Sequence, residues 1–170
     1  MGALIALAIF VGIGGVVNII NLITKYCKHK SRQKAYIKIF NDCTMVQTEK
    51  DLCIQLVKRS NSYINTYFIF KVWGKVSDIC SVLFSIATLG LTAYTQCAEL
   101  STGISMAAVF FVIISIYMNP GKCAKEYIEA WRKTDAHVYE IIANLPNNTL
   151  IKQIPTILSE VEKNITTDEE

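Results

Sequence analysis

Residues 79–98 read ICSVLFSIATLGLTAYTQCA and hold no charged side chain over 20 positions. A helix needs roughly 20 such residues to cross about 30 Å of hydrocarbon. Outward from this stretch lie two more charge-free runs, residues 2–24 (GALIALAIFVGIGGVVNIINLIT) and residues 100–121, of 23 and 22 residues. The whole chain has 170 residues, 52% hydrophobic and 18% charged, with a mean hydropathy of +0.33. A soluble domain carries about 25% charge, and the shortfall here is concentrated in the three runs. No alternating strand pattern occurs. The expected fold is an all-α membrane protein: three transmembrane helices over 2–24, 79–98 and 100–118, with a cytoplasmic helical bundle built from an amphipathic arm at 25–78 and helices within 119–170. The strongly apolar part of the third run, Ile104 to Met118, is 15 residues, or about 22 Å of helix, so Leu100 to Gly103 must complete that crossing.

Charge sets the expected orientation. Of the 17 Lys and Arg, 11 lie in 25–78 and the other six follow Gly121, while 1–24 and 79–121 hold none. Positive residues mark the cytoplasmic side of a membrane. The expectation is a multi-pass inner-membrane protein with its N-terminus outside, Glu99 in a tight outer hairpin and its C-terminus in the cytoplasm. The first run lacks a basic segment before it and has one after it, the order of a retained anchor rather than a cleaved signal.

In the polar segments, Tyr36, Phe40, Cys43, Val46, Leu52 and Leu56 recur at helical spacing, with a break expected between Asn41 and Thr48. Lys122 to Leu145 reads as a second amphipathic helix, with Ala124, Ile128, Trp131, Val138, Ile142 and Leu145 on one face. Residues 25–78 have net charge +7 and residues 119–170 net charge −3. The two are expected to pack together, with Trp131, Ile128 and Val138 at that cytoplasmic interface. Lys25, Lys28, Lys30, Arg32 and Lys34 abut the first span, where each cation contributes about 1 kcal/mol of attraction to anionic lipid.

Little in the chain suits catalysis. The six Cys show no CxxC spacing and the two His have no partner at metal-ligand spacing, which argues against zinc or a redox dithiol. No phosphate loop, nucleophile elbow or HExxH motif is present. The reading is therefore a non-enzyme with no cofactor and no metal. Nucleic acid is a poor partner for a basic cluster that abuts a bilayer and has no stacking platform.

Two stripes of small residues stand out. Ala8, Gly12 and Gly15, with Asn18 one turn on, form a surface that lets helix backbones approach closely in lipid. In the second span, Ser81, Ser85, Thr88, Thr92 and Thr95 recur at alternating steps of four and three, with Asp78 just upstream. Ser101, Ser105, Ala108, Val112, Ser115 and Asn119 form a looser match in the third. A 3.5-residue repeat holds a seam on one face of a supercoiled helix. Such a hydroxyl seam has two uses: close packing of helices, or the lining of a narrow wet path in an oligomer, with Asp78 as an acidic ring at its mouth.

Residues 60–145 also resemble the SLATT family, two-transmembrane effectors of prokaryotic conflict systems. The resemblance rests on the lead-in SNSYINTYFIFKVWGKVSDICSVLFS, the paired spans with a short link, and NPGKCAKEYIEAWRKTDAHVYEIIANL after them. The first span is an addition to that layout. The resemblance implies an effector that oligomerises and opens the inner membrane on a cytoplasmic signal, in antiviral defence. Its partners would be membrane lipid, further copies of the chain and a cytoplasmic protein sensor. The alternative is a scaffold, immunity or accessory subunit that uses the same seam only for packing.

Overall fold

A computed structural model describes residues 2–94, 98–145 and 149–166. The order of elements is α1 (Gly2–Asp42), α2 (Gln47–Tyr94), α3 (Ala98–Met118), α4 (Pro120–Ala143), a 3-10 turn at Ile151–Gln153 and α5 (Ile154–Thr166). Among the described residues there are no strands. Three helical stretches, Ala3–Asp42, Gln47–Ala93 and Glu99–Ala143, are long and apolar enough to cross a membrane. At 21 residues, α3 extends back through Leu100 to Gly103 and reaches about 31 Å.

Two of the breaks between helices have a local cause in the described residues. After Asp42 the chain leaves the helix and re-enters it at Gln47. There the Lys50 ammonium donates 3.0 Å to the Asn41 carbonyl oxygen, one of the acceptors that a helix end leaves without an internal partner. Between α3 and α4, Asn119 has φ 34°, a left-handed conformation that Asn tolerates better than most residues. Proline follows, which disfavours helical backbone in the residue before it and suits the first position of a new helix. The Lys122 N–H donates to the Asn119 carbonyl oxygen at 2.9 Å and approaches its side-chain oxygen at 3.3 Å, starting α4.

The chain divides into two compact units, residues 1–24 with 69–122, and residues 25–68 with 123–170. In the first, the apolar helices expose large side chains: Phe10, Met106 and Ile116 are each more than two-thirds exposed. Apolar area of that extent is unfavourable in water. The unit's internal contacts are made by small and aromatic residues. Gly15 of α1 abuts Ile79 of α2 so closely that a Cβ there would stand 2.8 Å from Ile79 Cγ1. The Phe84 and Phe111 rings stack at 5.6 Å, joining α2 to α3.

The second unit has a conventional apolar core. Tyr36 and Phe40 of α1 meet Cys53, Leu56 and Val57 of α2, Val138 and Ile141 of α4, and Ile151, Ile154 and Leu158 from the C-terminal segment. A smaller cluster gathers Tyr63, Ala130 and Val161, with Trp131 packed against it. Tyr26 against Phe68 at 5.2 Å fixes the antiparallel register of α1 and α2. His29 against Trp131 at 4.8 Å and Arg32 against Asp135 at 2.7 Å fix the parallel register of α1 and α4. That register brings Gln33, Ser60 and Thr134 to one level, and these three polar residues are all at least 96% buried. Thr134 donates to the Ala130 carbonyl oxygen at 3.0 Å, whereas the Gln33 amide and the Ser60 hydroxyl meet no protein hydrogen-bond partner.

Candidate functional site in the paired helices

The candidate site is the hydroxyl seam on α2 and the face of α3 beside it. The structure divides the seam between two environments. Ser81 and Thr88 are half-buried, while Ser85, Thr92 and Asp78 are exposed. Thr95 lies outside the described residues. Ser85 donates to the Ser81 carbonyl oxygen at 2.8 Å, Thr88 to that of Phe84 at 3.0 Å, and Thr92 to that of Thr88 at 3.0 Å. Back-bonding of this kind satisfies a hydroxyl in a low-dielectric setting without a partner helix.

Contact with α3 is made by some of the seam and by residues the periodic reading passed over. Ser77 is 4% exposed and donates 2.9 Å to the Phe111 carbonyl oxygen, an inter-helix bond between a side chain and the backbone. It stands four residues before Ser81, whereas the alternating repeat steps back three to Asp78, which is why the periodic reading passed over it. Ser101 is buried, and Ser105 donates to its carbonyl oxygen at 2.9 Å. Ser105 also faces the Thr88 hydroxyl at 3.4 Å, beyond the usual range for an O–H···O bond and so a polar contact only. Ser77, Thr88, Ser101 and Ser105 thus lie between α2 and α3, while Ser85 and Thr92 are left facing outward.

The α1 stripe separates in the same way. Gly15 is in contact with Ile79, whereas a Cβ at Gly12 would meet nothing within 4 Å. Ala8 is half-buried, and the exposed Asn18 donates to the Gly14 carbonyl oxygen at 3.0 Å. Gly15→Val should therefore destabilise this unit by about 1–3 kcal/mol through overpacking, and Ile79→Ala should restore most of it. Gly12→Ala should be neutral or slightly stabilising, since Ala is the better helix former. Thermal melting of the detergent-solubilised protein measures all of these, and equal losses at positions 12 and 15 would contradict the assignment.

No family model, curated protein or solved structure matches the chain.

In the second unit, Val138 is fully buried in the core. Trp131 is half-buried, with its ring edge-on to His29 and the Arg32 guanidinium 5.7 Å from its centroid. Ile128 is half-buried and belongs to neither cluster. The Trp131 face is therefore largely occupied by the chain's own α1. The ion pair beside it uses Asp135 Oδ2, while Asp135 Oδ1 has no partner. Burial pushes the Asp135 carboxyl up, against the pull of Arg32 and His29. Burial lowers the His29 pKa, and Arg32 and Lys28 lower it further, against Asp135. Burial raises the buried Cys53 thiol to about 11, so it is no nucleophile at neutral pH. Among the described residues, no group of three or more His, Cys, Asp or Glu is placed to hold a metal ion.

A depressed His29 pKa favours the neutral ring in the folded state, so its contribution is full above the ordinary value of 6.5 and is lost as pH falls through the folded value. Asp135 acts in the opposite sense. Its raised pKa contributes fully below the ordinary 3.8 and loses that contribution as pH rises through the folded value. As pH falls from neutrality past 6.5, the His29 effect is expected to lower stability. The melting midpoint should drop over that range, and His29→Phe should flatten the drop. An unchanged slope in the variant would remove His29 from the account.

Proposed function

We propose that this chain is a membrane effector that self-associates through its apolar helices and permeabilises the bilayer, the inner membrane of a bacterial cell in antiviral defence. The observation that carries the reading is the outward placement of Ser85 and Thr92 on a helix otherwise suited to hydrocarbon. Hydroxyls facing outward on such a surface gain most where copies of the chain place them against one another around water. The positive-inside asymmetry orients the N-terminus outward and puts the second unit in the cytoplasm, where it would receive the activating partner.

A second reading has its own support. Ser85, Thr88 and Thr92 each already donate to a backbone carbonyl of their own helix, so these three do not demand water, and Ser77 and Ser101 serve packing. A scaffold, immunity or accessory subunit would use these features without a pore. Chain counting by mass photometry in detergent, followed by dye release from liposomes, separates the two. A multi-chain ring that releases dye supports the effector. A monomer or a one-to-one complex with a partner, in tight vesicles, supports the scaffold.

A further inference from the structure

The stretch of α2 just before its apolar run carries Lys71, Gly74, Lys75 and Asp78 at helical steps of three, one and three, which places them on one face. Opposite lie Ser115 near the end of α3, Asn119 in the bend, and Pro120 and Gly121 at the start of α4. Together they line a groove of about 290 Å³. Its floor exists because Gly74 has no side chain: a Cβ there would stand 3.3 Å from the Pro120 ring.

The depth of the groove follows from the sequence. The charge-free run of α2 begins at Ile79, and at 1.5 Å per residue Lys75 lies about 6 Å before it and Lys71 about 12 Å. The headgroup layer is about 5–8 Å thick on each side of the hydrocarbon. Lys75 therefore stands within that layer, and Lys71 reaches it by bending its flexible stem toward the polar boundary. Asp78, the one carboxylate on the groove, sits at the hydrocarbon edge, beneath both ammonium groups. Both lysines are exposed, and neither is in a salt bridge or hydrogen bond with a described residue. Ser115 and Asn119 add groups able to donate hydrogen bonds from the other wall.

We propose that this groove binds the phosphate of an anionic phospholipid, with Lys71 and Lys75 as the charge partners and Ser115 and Asn119 as hydrogen-bond donors. The inference rests on the membrane-spanning placement of α2 and α3 and not on pore formation. It is also separate from the basic cluster after the first span, whose Arg32 is engaged by Asp135.

The test is native mass spectrometry of the full chain in detergent, titrated with phosphatidylglycerol, phosphatidylcholine or inorganic phosphate. Wild type should retain phosphatidylglycerol over phosphatidylcholine. Lys71→Gln with Lys75→Gln should weaken that retention roughly 30-fold, as two headgroup-level cations are lost. Lys28→Gln with Lys30→Gln should change it little, and Lys71→Arg with Lys75→Arg should keep it. Equal retention in wild type and the Lys71/Lys75 double variant overturns the site. So does equal loss from the Lys28/Lys30 variant, which would mean diffuse attraction, or capture of inorganic phosphate as strongly as lipid. Unchanged melting of the variants in phosphatidylcholine controls for folding. Carbonate-resistant membrane association of the wild type tests the spanning placement by itself.

Discussion

Liposomes carrying a chain with Ser85→Leu and Thr92→Leu should hold their dye as tightly as protein-free vesicles, while the number of chains per particle in detergent stays that of the wild type. Both side chains face outward and neither bonds to α3, so leucine replaces a polar surface with an apolar one without disturbing the hairpin. A narrow path lined by leucine gates itself by dewetting. Thr88→Leu is a different experiment. Thr88 is half-buried against Ser105, so a larger apolar side chain there should loosen α2 from α3 and change assembly and flux together. Dye release that persists in the Ser85/Thr92 double variant would take the outward hydroxyls out of the mechanism and leave the packing role.

Phe40→Ala should lower the unfolding free energy of the second unit by about 3–5 kcal/mol, the usual loss when a buried aromatic leaves a cavity. Phe40 is wholly buried where α1, α2, α4 and the C-terminal segment converge. Domains are stable by only about 5–15 kcal/mol, so the variant should unfold at much lower urea concentration. Ile39→Ala, next in the chain and 38% exposed, should cost well under half as much. Tryptophan fluorescence follows both, since Trp131 packs within this unit. Equal losses at 39 and 40 would mean that the core does not lie where α1 presents Phe40.

The long helices were legible because water sets a strict condition on them: a charge is costly in hydrocarbon, so the three uncharged runs stand out by composition alone. The break between α1 and α2 falls at 43–46, inside the stretch where the arm's spacing lapses. Which residues face inward on α4 was less legible. The structure buries Ala124, Ala130, Thr134, Val138 and Ile141, whereas counting large apolar residues selected Ile128, Trp131, Ile142 and Leu145 as well. Ala124 was on the expected face, but Ala130 and Thr134 carry too little apolar surface to stand out in such a count, yet they are buried. A last short helix over Thr156 to Ile165, opened by Pro155, was legible, and α5 occupies Ile154–Thr166. The 3-10 turn before it was not, although Ile151, Ile154, Leu158 and Val161 follow steps of three, four and three and all are buried. Gly12 and Gly15 cannot be distinguished by residue type at all. Only the position of Ile79 on a helix more than 60 residues later separates them.

The level of Gln33, Ser60 and Thr134 bears on how the second unit finds a single arrangement. Apolar helices can slide by a turn and still bury oil against oil, so a core of leucine and isoleucine alone is tolerant of mispairing. A slip of α1 by one turn would carry the Gln33 amide from the level of the Ser60 and Thr134 hydroxyls to that of Leu56 and Val57, where a polar group among apolar side chains is disfavoured. The polar level thus works as a keyed joint: it adds little holding force in the correct alignment, and it makes the neighbouring alignments unavailable.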